Sequence, residues 1–150
     1  MMSSPRLPYY SLNDKAYKAM LDVNGALANS TLGKPLIDLV FQRVSLMNGC
    51  AFCVDMHWHE LVKEGEDLQR LNSLSTWRET DFFSEREQAA LAWAESVTDL
   101  HRTHVSDEDF AALRPHFTDA EIVDLTFAIS TINAWNRLAI SFRSPVARRK

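Results

Sequence analysis

No stretch of this 150-residue chain alternates apolar and polar residues for long enough to make a half-buried strand. Apolar residues recur instead at spacings of three and four. Leu36, Leu39, Val40, Val44 and Met47 make 36–47 read as an amphipathic helix, with Pro35 suited to its first turn. Three segments carry a hydroxyl followed three residues later by an acid: Ser84-Glu85-Arg86-Glu87, Ser106-Asp107-Glu108-Asp109 and Thr118-Asp119-Ala120-Glu121. In the first and last the hydroxyl can cap the third amide while the Glu reaches back; the middle one has Asp where Glu is preferred. They predict helices over 85–100, 107–113 and 119–142. Tyr17, Met20, Leu21 and Val23 predict another over 12–28, and 67–77 reads as a shorter one. The expected fold is all-α.

With no internal repeat and no linker, 1–150 reads as a single domain. It is flanked by an extended arm over 1–10, containing Pro5 and Pro8, and a solvated tail over 143–150. A net charge of −4 without a basic stripe argues against nucleic acid as a partner. No apolar run approaches the ~20 residues of a membrane span, and the N-terminus lacks the apolar core of a secretory signal. The expectation is a cytoplasmic protein with no membrane partner, an oxidising compartment remaining open. A bridge between Cys50 and Cys53, the only two cysteines, would close too short a loop to stabilise the fold much.

Their context is chemical. Asn48-Gly49 breaks one helix, and Cys50 opens the next, expected over 50–63 with Gly65 beyond it. At about 100° per residue, Cys50, Cys53 and His57 fall within roughly 60° on the helical wheel, on the face of Val54 and Leu61. His59 lies opposite. Helix N-termini favour a thiolate, and His57, one turn beyond Cys53, can take its proton. A thiolate beside a second thiol can be oxidised to a sulfenic acid and then condense to a disulfide.

Such a pair has three other common uses. A thioredoxin motif belongs in a βαβ setting that is missing here. Zinc would need a fourth ligand beyond Cys50, Cys53 and His57, from His101, His104, His116 or water. Haem attachment needs His directly after the second Cys, where Val54 stands. The cysteines could also be plain buried hydrophobes. Trp58, Trp77, Trp93 and Trp135 read as packing anchors, and a buried Asn133 or Asn136 would need partners.

Asn48-Gly49-Cys50-x-x-Cys53-x-x-x-His57 resembles the signature of the AhpD-like alkylhydroperoxidases, within the carboxymuconolactone decarboxylase superfamily. Trp77 to Thr80, Glu85 to Glu95 and Ile132 to Arg137 add to the likeness, which spans roughly 36–142. The resemblance implies an oligomeric all-α bundle, as a dimer, trimer or hexamer. It also implies reduction of hydroperoxides without a bound cofactor or metal, with an external dithiol or disulfide reductase as electron donor. Carried over, Cys53 is the peroxidatic cysteine, Cys50 the resolving one and His57 the base. Asp38 stands where a Glu of the proton relay is usual, and Phe52 where some members have a His. Glu60, one turn past His57, is a candidate to orient the imidazole. The alternatives are a helical binding or scaffold protein with idle thiols, a general disulfide reductase, and a decarboxylase of the same superfamily.

Overall fold

The computed structural model describes residues 4–150, and every regular element among them is helical. Residues 1–3 of the expected arm lie outside the described part. The remainder of the arm is non-helical only to Pro8, because Tyr9–Leu12 forms a single turn, α1. Its ring Tyr9 stacks on Phe142 with centroids 5.4 Å apart. Asn13 then caps α2 (Asp14–Leu27), accepting from the Ala16 amide.

α3 (Lys34–Asn48) begins after Gly33, with Pro35 in its first turn. The sequence reads it as amphipathic, but it is wrapped on all sides: Leu36, Ile37, Leu39, Val40, Phe41 and Val44 are all buried. That is the behaviour of a central helix. α3 packs against α4 (Ala51–Lys63), α6 (Glu85–Thr98) and the 23-residue α9 (Asp119–Ser141). The main core joins α3 through Ile37, Val40 and Val44 to Trp93 and Ala94 of α6, and to Leu125, Ile129 and Ile132 of α9. A smaller core gathers Leu39, Leu74, Trp77, Phe83 and Leu91.

Sequence and structure differ most over 67–77. The segment is a short α5 (Leu68–Ser73) followed by a 3₁₀ stretch, Leu74–Glu79, with Thr76 out of helical geometry. Thr76 Oγ1 bonds back to the Ser73 carbonyl at 3.1 Å, competing with the helix ladder. Trp77 is thereby turned inward, and its Nε1 donates to Glu95 at 2.8 Å. Beyond Asp99 lie two short helices, α7 (Leu100–Thr103) and α8 (Asp107–Ala111). Both full capping boxes form, at Ser84/Glu87 and Thr118/Glu121. Ser106 caps Asp109 N, but the Asp109 carboxylate accepts from Ser96 instead of reaching back. No helix among the described residues is long and apolar enough to cross a membrane.

Candidate active site

The site is built by the turn between α3 and α4. Gly49 adopts φ +71°, a left-handed conformation open to glycine at little steric cost. Its neighbour Cys50 donates its amide to the Ser45 carbonyl at 3.1 Å, which closes α3 and reverses the chain. Cys50 becomes the N-cap of α4, its Sγ accepting from the Cys53 amide at 3.2 Å. The two sulfurs are joined as a disulfide, with Cα atoms 5.3 Å apart. Both residues are almost fully buried, in a small apolar cluster with Ala139 of α9.

A polar network stands behind this turn. Asn136 is completely buried and donates to Ser45 Oγ at 3.0 Å. Asn48 donates to the side-chain oxygens of both Asn133 and Asn136 at 2.9 Å. The two α9 asparagines thus meet the end of α3, holding the residue that precedes Gly49. Trp135 lies on another face of α9, donating to Asn24 of α2 at 3.1 Å.

Cys53, His57 and Leu61 are the buried residues of α4, one turn apart. The His57 ring packs 5.2 Å from that of Phe41, and its Nε2 is buried without a hydrogen-bond partner. Burial, with the nearby Lys34 charge, lowers the His57 pKa from 6.5 to about 4, so the imidazole is neutral at pH 7. Glu60 is exposed and does not satisfy that nitrogen. His59 faces outward, 3.5 Å from Asp55.

Asp38 is buried on α3, and its carboxylate accepts from Lys34 at 2.5 Å. Lys34 also pairs with Glu64 at the end of α4, tying the start of one helix to the end of the other. Burial raises the Asp38 pKa, outweighing the ammonium beside it, whose side chain is more than half exposed. No hydrogen bond joins Asp38 to His57; Lys34 is the charge common to both. Lys34 is a residue that the sequence reading did not single out. Its i,i+4 spacing to Asp38 was a usable signal, whereas its bond to Glu64 depends on how α3 and α4 pack. Gln42, one turn beyond Asp38, is a second residue missed: its Oε1 is buried and also unpaired.

A cleft of about 250 Å³ opens beside the disulfide, between Gly49 to Phe52, the end of α9 and residues 143–146. Cys50 contributes to its wall and Cys53 does not. Among the described residues, no group of three or more His, Cys, Asp or Glu side chains is arranged to hold a metal ion. His101 and His104 are exposed, and His116 packs edge-on to Phe117.

Comparison with known proteins agrees with this architecture. Residues 14–96 match the model of the carboxymuconolactone decarboxylase family. The chain is 38% identical over 96% of its length to an uncharacterized protein of Bacillus subtilis, YdfG, covering 98% of that protein. A crystal structure of a protein of unknown function from Agrobacterium tumefaciens, ascribed to antioxidant defence as an AhpD, superposes with a TM-score of 0.93 at 40% identity. That match covers 97% of this chain and all of the other. The debrominase Bmp8 shares the fold at a TM-score of 0.80, with 19% identity over 91% of this chain and 73% of its own. The capped turn, the buried cysteine pair and these likenesses converge: the chain belongs to the carboxymuconolactone decarboxylase family and has its AhpD-like, all-helical fold.

Proposed function

We propose that this protein is a thiol-dependent peroxidase that reduces hydroperoxides through Cys53 and Cys50. The observation that carries the reading is a disulfide buried at the start of α4 with a neutral imidazole one turn along. In the reduced protein the Cys53 thiol passes its proton to His57. The resulting thiolate and imidazolium stabilise one another in a poorly hydrated site. The thiolate attacks the hydroperoxide: an S–O bond forms, the O–O bond breaks, and the alcohol leaves with the proton held on His57. The Cys50 sulfur then attacks the sulfenic acid, the S–S bond forms and water departs. An external dithiol or disulfide-reductase donor returns the pair to the thiol state.

Asp38 and Lys34 act on this centre through charge. Burial raises the Asp38 pKa against the pull of Lys34, and burial, helped by the Lys34 charge, keeps the imidazole neutral between turnovers. The same reading has the chain acting in the cytoplasm, as an assembly of identical copies, without a bound cofactor.

The test is hydroperoxide consumption in the presence of a dithiol. Cys53→Ser should abolish it. With the dithiol left out, Cys50→Ser should complete one turnover, ending in a sulfenic acid that can be trapped and weighed. Undiminished consumption by both variants would overturn the proposal. Ordinary thiol pKa values at both positions, with no peroxide consumption by the wild type, would favour the scaffold with idle thiols.

A further inference from the structure

Three polar residues of α3 are buried in a row along one side of the helix: Asp38, Gln42 and Ser45. The outer two are committed. Asp38 accepts from Lys34 at 2.5 Å, and Ser45 Oγ accepts from Asn136 at 3.0 Å. Gln42 is 3% exposed, and its Oε1 has no hydrogen-bond partner. The other buried side-chain atom without a partner, among the described residues, is His57 Nε2. Phe41 and His57 stand equally far from Gly49 along the two helices, with their rings in contact at 5.2 Å. Gln42 is one residue nearer the turn. The two orphaned atoms thus belong to facing turns of one helical hairpin.

A buried amide oxygen left unpaired costs free energy that an apolar side chain of similar length would not. Such an atom points to a state of the protein in which it is bonded. The disulfide form has no thiol proton to move. In the reduced form, on the redox role proposed above, His57 becomes an imidazolium with an N–H at each ring nitrogen. A buried N–H of a cation needs an acceptor. The charged groups on this side are Lys34 and Asp38 of α3 and Glu64 at the end of α4, and Lys34 already holds both carboxylates. Glu60 is exposed, and α9 brings only the uncharged Asn133 and Asn136 to the end of α3. Gln42 Oε1 is the acceptor that remains.

We infer that Gln42 is a positioning residue: in the reduced protein its Oε1 accepts the Nε2 proton of His57, directly or across one water, which leaves Nδ1 to take the Cys53 proton. The inference rests on the peroxidase reading for the role of His57 as base. The hydrogen bond made at one ring nitrogen decides the protonation of the other. The proton then passes from Cys53 Sγ to Nδ1. It leaves a thiolate and an imidazolium whose second N–H is already satisfied. Gln42 acts through the ring and not on the peroxide.

Two measurements test this, both without hydroperoxide. Cys53→Ser keeps the pair open and removes the thiol proton, so 15N NMR at pH 7 should find a neutral His57 ring protonated at Nε2. In the reduced protein, alkylation of Cys53 by iodoacetamide, located by peptide mass spectrometry, follows the thiolate against pH. Gln42→Met has similar reach and no acceptor. It should move the midpoint of that profile up by about one pH unit and slow alkylation below the midpoint about tenfold, the scale of one hydrogen bond to a charged group. A Gln42 that only fills space would leave the profile where it is. An unchanged profile in Gln42→Met, or a neutral ring protonated at Nδ1, would overturn the inference. The peroxidase reading fails separately, by an absence of hydroperoxide consumption in the wild type with both of these results intact.

Discussion

His57 couples the chemistry of the site to the stability of the chain. Its folded pKa of about 4 lies below the ordinary 6.5, so the unfolded chain binds more protons between those values. Stability therefore falls as pH drops from 6.5 toward 4, by up to about 3 kcal/mol. The raised pKa of Asp38 acts with the opposite sign, its contribution falling as pH rises above 3.8. Urea titrations between pH 7 and pH 4 should show the net decline, and His57→Leu should flatten it. The same substitution should slow peroxide reduction by about 10²-fold or more, since it removes the proton acceptor. Undiminished turnover in His57→Leu would remove the imidazole from the mechanism. At Gly49 a Cβ would meet nothing within 4 Å, so any penalty comes from φ +71° alone. Gly49→Ala should cost roughly 1–2 kcal/mol in denaturant.

Individual helices were legible where side chains and backbone interact locally. Ser84 and Thr118 each complete a reciprocal box, so Thr118→Ala should lower stability by about 1 kcal/mol. Ser106→Ala should cost less than Thr118→Ala in thermal melts, because only one arm of its box forms and α8 is five residues long. Equal losses would show that the reciprocal Glu bond contributes nothing. The segment 67–77 was less legible. Its apolar spacing fits a helix, yet Thr76 breaks the ladder and Trp77 swings into the core beside Leu74 and Phe83. Such a kink reflects where a large ring finds room, which local propensity does not encode.

Across the whole molecule, the α3–α4 turn depends on a helix nearly ninety residues away in sequence. Asn136→Ala would strip Ser45 and Asn48 of buried partners and open a void, for an expected loss of about 2–4 kcal/mol. Slower disulfide re-formation should accompany that loss, because Asn136 anchors Asn48, the residue before Gly49. Phe52, Met56, Val123, Phe127 and Ile140 remain exposed on α4 and α9. If the chain assembles with its own copies, sedimentation should detect a species larger than 17.1 kDa, and Phe127→Asp should weaken it should α9 take part. What the sequence by itself determined is what acts over one or two turns: helix content, two capping boxes, the Asn48-Gly49 break, and one face shared by Cys53 and His57. Only the tertiary structure decided that Lys34 rather than Glu60 sets the field at His57, that Lys34 also reaches Glu64, and that Asn133 and Asn136 meet Asn48. Those arrangements join residues far apart in the chain, and they exist only once packing of α3, α4 and α9 has excluded water from between them.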